Sequence, residues 1–510
     1  MVNNSPWDQF RRHARHENLS VTERQTTWLH DCLKHNQSSV YGQLYGFEHI
    51  RSVQDFQQQL PIVDYDNLKP WIDKCASDER YQLFVGEVIA FEKTGGSHSG
   101  GKLIPYSEKG LDDFRHALSD WLAQLVEQFQ IDRGTAYWAL SPAITLSTET
   151  IEGIPVGGGD ALYLGAEYLS AFAQISAVPL TLSQVTNVND WQLLTLYYLA
   201  CRRDLRLFSV WSPSFLTQLL EGLQHRQRSL SELLQYGGEI AGHQLQKNQA
   251  TADIYQCYLE SGDTRILWPQ LDVISCWADA SSTTLASQLM GYFPSITLQP
   301  KGLLATEAII TAPNRQNQPQ LCVDSNFYEF IDEQGDIQLA DSLKVNHNYQ
   351  VIITTNSGLY RYRIGDMVQC IGFQGDVPLL CFTGRTGVVS DLVGEKLTES
   401  FVNYCLSPLK GFAMLCPDSK SLGYCLLLDK RYLQDNKNAV GIVEQRLNEN
   451  PQYAYARTLS QLVPLSCLPL EQPERCYLAW QCAQGKRLGD IKIPSLMHND
   501  NWREIFQIVE

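Results

Sequence analysis

Residues 81–106 read YQLFVGEVIAFEKTGGSHSGGKLIPY, and no other stretch restricts the fold so tightly. An apolar run from Leu83 to Phe91 predicts a buried strand. It enters Lys93–Lys102, ten residues with four glycines, two serines, one threonine and two lysines. Glycine lets successive backbone N–H groups converge, hydroxyls add donors and lysine adds a mobile positive charge, which is the chemistry that holds a polyphosphate. Gly96–Lys102 satisfies the spacing G-x-x-x-x-G-K, but Leu103 stands where a magnesium-binding Ser or Thr belongs. That loop must also open a helix, whereas Leu103–Ile104–Pro105–Tyr106 is extended and broken by proline. Two readings remain: a mobile Ser/Thr/Gly-rich nucleotide loop between two strands, or a plain Gly/Ser hairpin turn.

The rest of the chain predicts an α/β protein. Ser107 caps a helix whose apolar positions Leu111, Phe114, Leu118, Trp121, Leu122, Leu125 and Phe129 trace one face. Continuous apolar runs at Thr135–Ser141, Leu205–Trp211 and Leu271–Trp277 alternate with helical patterns at 166–177, 190–203, 214–224 and 283–292. Such alternation indicates a sheet buried on both faces. Between Gly302 and Gly372 short strands separated by turns predict a partly antiparallel, barrel-like subdomain. Residues 7–60 form a helical lead-in. The turn 383–387 is a natural hinge, dividing a large domain (1–382) from a small α+β domain (383–510) with strands at 424–428 and 475–481.

Composition narrows the function. With 510 residues, 44% hydrophobic and 19% charged, the chain is globular. Its net charge of −16, without a basic cluster, argues against nucleic acid and against an anionic membrane as partner. No apolar run reaches membrane-span length and no signal-peptide core is evident, so the expected location is cytoplasmic. The fourteen cysteines form no C-x-x-C pair, which predicts reduced thiols and no zinc site.

Four further segments can carry chemistry, three of them beside a plainer reading. Glu307, after Thr306, can hold a magnesium ion that bridges phosphates, or can be a surface glutamate in a turn. In Ser357–Asp366 (SGLYRYRIGD) the terminal Asp366 can accept ribose hydroxyls, or close an exposed strand. Arg385 in the hinge can meet phosphate in one domain orientation and solvent in another. Lys492 can swing onto an acyl phosphate, or be a solvated lysine.

Taken together, the glycine loop with its lysine, T-E, Y-R-Y-R-I-G-D, the G-R hinge and a late lysine resemble the superfamily of adenylate-forming ligases. The phrases GLLATEA, SGLYRYRIGDMVQCIGF, LRLFSVWSPSFL and LWPQLDVISCW resemble the Gretchen Hagen-type family, the auxin-responsive acyl acid amido synthetases and their bacterial relatives. That resemblance implies a large domain with mixed sheets and a mobile small domain. It also implies ATP and Mg²⁺, with phosphate contacts from Thr94, Gly95, Gly96, Ser97 and Lys102. Thr306 and Glu307 would lie at the α-phosphate and metal, Asp366 on the ribose, Arg385 at the hinge and Lys492 on the mobile domain. Gly96 and Ser99 depart from the family loop, and Leu303 replaces an aromatic that flanks adenine. The implied reaction is adenylation of a small carboxylic acid and acyl transfer to an amino acid or other amine. Alternatives are a thioester-forming ligase, with coenzyme A or a carrier protein as acceptor, and a nucleotide-binding regulator. The sequence leaves the oligomeric state open.

Overall fold

The computed structural model describes residues 19–77, 79–93, 102–139, 148–150, 152–157, 169–279, 282–385, 389–483 and 494–508. These divide into two compact units, one taking in 19–93 and 103–384, the other 102 and 385–508.

The centre of the first unit is a parallel sheet, ordered Thr297–Pro300, Val273–Cys276, Leu205–Ser209, Thr135–Trp138. Its apolar runs are buried on both faces: Leu205, Leu207, Phe208, Val273 and Ile274 are fully enclosed. The helix Glu108–Phe129 starts where the Ser107 hydroxyl accepts from the Gly110 N–H at 2.9 Å. Its Trp121, Leu122 and Leu125 pack in one core with Leu207 and Val273. The helices Val188–Ala200 and Pro213–His225 follow the sequence pattern, the latter with proline in its first turn.

An antiparallel sheet forms the second layer, ordered Thr311–Pro313, Pro319–Leu321, Val377–Arg385, Tyr362–Gln374, Asn348–Thr354, Phe327–Ile331, Ile337–Gln338. The lead-in helices lie against it. Val21–Asn36 opens with a Ser20/Glu23 capping box, and its buried Gln25 amide donates to the Val323 and Asn326 carbonyls.

The glycine-loop stem is an antiparallel pair, Ala90–Lys93 with Leu103–Tyr106, and Phe91 pairs in parallel with Val156. The predicted strand from Leu83 is a correction: only Ala90–Lys93 is strand. Leu83 and Phe84 are buried against the N-terminal helices, with the Leu83 carbonyl accepting from Tyr360 Oη at 2.9 Å. Asn36 Oδ1 accepts from the Val85 N–H, so these backbone groups are met outside any sheet.

The second unit has a sheet Ala413–Asp418, Gly423–Asp429, Ser466–Leu470, covered by the helices Pro473–Ala483 and Trp502–Ile505. The expected strand at 475–481 is therefore helix. Pro473 starts it, and Tyr477 and Gln481, one turn apart, are both buried with Gln481 Nε2 donating to Tyr477 Oη. No described helix is long and apolar enough to cross a membrane. The described cysteines are all free thiols.

Candidate active site

One polar turn is tied to the glycine-loop stem. Leu304 bridges to Ile309, and the Ala305 N–H donates to the Ala308 carbonyl at 2.9 Å, so Thr306 and Glu307 form the tip of a tight reversal. Tyr106 Oη, from the second strand of the stem, donates to the Thr306 carbonyl. The acidic turn is thereby tied to the hairpin that carries residues 94–102. Upstream, Gly302 has φ +77°, and a Cβ there would lie 2.5 Å from the Thr311 carbonyl oxygen. Only glycine fits this bend without displacing the adjacent strand.

Asp366 is placed by a different device. Gln350 pairs with Met367 but Ile352 with Arg363, so residues 364–366 stand opposite one residue. Gly365, at φ +87°, sits inside this bulge. The bulge adds two residues, which keeps the alternation, and Asp366 falls with Tyr362, Ile364 and Val368 on the buried side, at 2% exposure. Leu303, Ile364, Phe91, Ile104 and Tyr106 share one apolar core, which joins the bulge, the acidic turn and the hairpin stem. Leu303 is enclosed in that core, and its N–H donates to Thr311 Oγ1.

The remaining sequence candidates are placed less fully. Lys102 is half-buried just before the strand Leu103–Tyr106, and Leu103 N–H donates to Tyr65 Oη. Arg385 ends the strand Val377–Arg385. Thr94, Gly95, Gly96, Ser97 and Lys492 lie outside the described residues.

Several polar groups near these elements had no clear signal in the sequence. Arg361 is buried and forks onto Glu329, Nε and Nη2 each 2.9 Å from a carboxylate oxygen, while Nη1 donates to the Gln57 and Leu60 carbonyls. The Y-R-Y-R stretch is thus a buried strut at Arg361, with Arg363 exposed. Asp279 follows the strand Val273–Cys276; burial pushes its carboxyl up, against hydrogen bonds from the Cys381 thiol and the Phe382 N–H. Lys301, one residue before Gly302, is buried at 4% exposure with its ammonium over the Trp121 and Trp211 rings.

A magnesium site must be judged by its donors. Among the described residues no three His, Cys, Asp or Glu cluster as a metal cage. One carboxylate ligand on a half-exposed turn, as Glu307 could supply, fits Mg²⁺, which keeps waters and takes its other ligands from substrate phosphates.

Comparison with solved structures gives the class first. The fold is that of the adenylate-forming ligases. It is similar to a GH3.15 acyl acid amido synthetase, with TM-score 0.64 and 17% identity over 96% of this chain and 94% of that one. It is similar also to a 2-hydroxyisobutyryl-CoA ligase in its thioesterification state, with TM-score 0.57 and 10% identity over 97% and 92%. Residues 14–298 match the GH3 family N-terminal domain and residues 320–385 the GH3 family central domain. The chain belongs to the GH3 family. Curated relatives include an indole-3-acetic acid-amido synthetase GH3.15 of Arabidopsis thaliana, 24% identical over 74% of this chain and 70% of that protein. Another is a probable indole-3-acetic acid-amido synthetase GH3.1 of Oryza sativa subsp. japonica, 25% identical over 77% and 70%.

Proposed function

We propose that this chain joins a small carboxylic acid to an amine, with an amino acid as the expected acceptor, in two steps driven by ATP. In the first, a carboxylate oxygen attacks the α-phosphorus of ATP, the α–β anhydride bond breaks, and pyrophosphate leaves. In the second, the amine nitrogen attacks the acyl carbon of the acyl-adenylate, AMP leaves, and the amine proton passes to solvent. Neither step needs a protein nucleophile; positioning and facing cations supply the catalysis.

The observation that carries this reading is the Tyr106–Thr306 hydrogen bond, which fastens the acidic turn to the stem of the glycine loop. It supports a site in which Thr94, Gly95, Gly96, Ser97 and Lys102 hold the phosphates and Thr306 lies at the α-phosphate. Glu307 would hold Mg²⁺, which when bound neutralises charge on the phosphate oxygens. Asp366 takes the ribose hydroxyls, next to the bulge at Gly365. Arg385 and Lys492 belong to a small domain, 383–510, that turns about 383–387 between the two steps.

The test is carboxylate-dependent exchange of labelled pyrophosphate into ATP across a panel of acids. Amide formed with free amino acids supports the reading. Thioester formed only with coenzyme A overturns the acceptor, and no exchange with any acid overturns adenylation.

A further inference from the structure

The strand Leu103–Tyr106, by which the glycine loop returns to the fold, is an edge strand of its sheet among the described residues, paired with Ala90–Lys93 alone. Backbone donors on such a strand point alternately to the paired and the open side, and Leu103 and Pro105 share the open one. Pro105 has no N–H, which leaves Leu103 as the donor there. Tyr65 meets it, the Leu103 N–H donating to Tyr65 Oη at 2.9 Å. Residues 94–102 run from Lys93 to Leu103, which face each other at the end of the ladder, so this hydrogen bond lies at the base of the loop. At the other end of the strand Tyr106 Oη donates to the Thr306 carbonyl. A tyrosine therefore pins each end, one at the loop and one at the acidic turn.

Tyr65 is itself placed from two directions. Val63 lies beside Tyr362 in a parallel bridge, its N–H donating to the Arg361 carbonyl at 3.1 Å and its carbonyl accepting from the Arg363 N–H at 2.8 Å. Asp64 caps the helix Tyr65–Ala76 in a capping box with Asn67, so Tyr65 enters the first turn in a fixed direction. Its ring is 7% exposed, in one core with Ile104, Tyr106 and Tyr362. Burial pushes the phenol up, so the hydroxyl meets Leu103 as a neutral group. Three consecutive residues, 63–65, thus join the strand that carries Asp366 to the base of the glycine loop.

We propose that Tyr65 is a positioning residue for the phosphate loop, fixing the point at which residues 94–102 rejoin the fold relative to the Asp366 strand, an inference that rests on the ligase reading above. Tyr65 acts through the backbone of Leu103, next to Lys102, and takes no part in the chemistry itself. The two ends of the nucleotide then depend on it unequally. Ribose and α-phosphate are assigned to Asp366 and Thr306, whereas the β- and γ-phosphates are left to the loop. The Tyr65 hydroxyl should therefore matter for ATP and not for AMP. A tyrosine that serves packing alone affects both nucleotides or neither.

The experiment is calorimetry of ATP and of AMP with wild type, Tyr65→Phe, Lys102→Met and the double variant. Tyr65→Phe keeps the ring and removes Oη; it should weaken ATP about three- to tenfold, the loss of one neutral hydrogen bond, and leave AMP within about twofold of wild type. In pyrophosphate exchange KM for ATP should rise by the same factor, while acyl transfer from a supplied acyl-adenylate to an amine keeps its wild-type rate. Because the effect passes through the loop, Tyr65→Phe should weaken ATP less in the Lys102→Met background than alone. If Tyr65→Phe does not fold, amide exchange in the wild-type chain is read instead: ATP should slow exchange of the Leu103 amide and AMP should not, and an equal response to both overturns the inference. A folded Tyr65→Phe that binds ATP as wild type does overturns it, as does an equal loss of ATP and AMP, or full additivity with Lys102→Met. A wild-type chain that exchanges pyrophosphate with no acid overturns the ligase reading instead, and a defect confined to the variant cannot be mistaken for that outcome.

Discussion

Replacing Arg361 by methionine separates a structural arginine from a phosphate-binding one. Both groups of the Arg361–Glu329 pair are almost fully enclosed, at 3% and 1% exposure. Of the guanidinium donors, Nε and Nη2 go to the Glu329 carboxylate and Nη1 goes to two carbonyls at the end of the helix Val53–Gln59. Removing the arginine leaves a buried carboxylate with the Gln57 amide at 2.9 Å as its remaining side-chain donor among the described residues. Breaking one partner of such a pair costs about 3–5 kcal/mol, whereas replacing both by apolar groups of similar volume is often neutral or stabilising. Arg361→Met should therefore lose about 3–5 kcal/mol, and Arg361→Met with Glu329→Leu should recover most of it. Urea unfolding reads both, taking the transition of the first unit, because the chain is divided into two. The refolded double variant should also keep pyrophosphate exchange, since none of the Arg361 contacts leaves the core. Two results refute the reasoning: a single variant that loses less than about 1 kcal/mol, or a stable double variant without exchange.

Three further outcomes follow from the same geometry. Asp366→Ala should leave the fold intact and weaken ATP binding about ten- to a hundredfold, the loss of a charged hydrogen bond; unchanged ATP affinity in calorimetry removes the ribose assignment. Glu307→Gln should reduce exchange most at limiting magnesium, because an amide is a poorer ligand than a carboxylate; a magnesium titration matching wild type removes Glu307 from the metal. Glu395, fully buried in the second unit, is pushed up from 4.5 to about 7 by burial, with Asp391 adding to the rise. Its folded form holds a proton that the unfolded chain has already released, so its stabilising contribution is complete below about pH 4.5 and is lost as pH rises to about 7. Glu395→Gln should accordingly gain stability on wild type as pH rises through that window, on the order of 1–3 kcal/mol; a difference in melting temperature that is flat from pH 5 to 8 counts against it.

What could be read in advance depended on whether the signal was local. The second stem strand, Leu103–Tyr106, was legible because Pro105 forbids a helix after the loop, whereas the first was expected from Leu83 and begins only at Ala90. The parallel strands were legible because Leu205–Phe208 and Val273–Ile274 are continuous apolar runs of strand length. The segment 475–481 was not, since a short mixed run fits strand and helix alike until Pro473 is allowed to set the first turn. Leu83–Val85 failed for another reason: its apolar residues are buried by helices from positions 36–41, which no period within the run records. Among the candidates, Glu307 and Asp366 were singled out by the combination of motifs along the chain, since each has a plainer local reading. Arg361 was not, because its carboxylate lies 32 residues away, nor was Lys301, whose Nζ donates to Ser209, 92 residues away.

That contrast has a physical basis that extends to the chemistry. Regular strands are specified by repeating side-chain burial, and a residue inside them faces either core or solvent. A ligand needs polar groups aimed into a space that neither face provides. Here the candidate residues stand beside breaks in the regular backbone: Asp366 next to the three-for-one bulge at Gly365, and Glu307 beyond the bend at Gly302. Each break removes ladder hydrogen bonds and uses a glycine, a cost that a purely structural sheet has no reason to bear. The breaks are held by ordinary packing instead, through Ile364 and Leu303 in the same core as the hairpin stem. Filling Gly302 would drive a Cβ into the Thr311 carbonyl, so the bend that leads into the Thr306–Glu307 turn depends on that glycine.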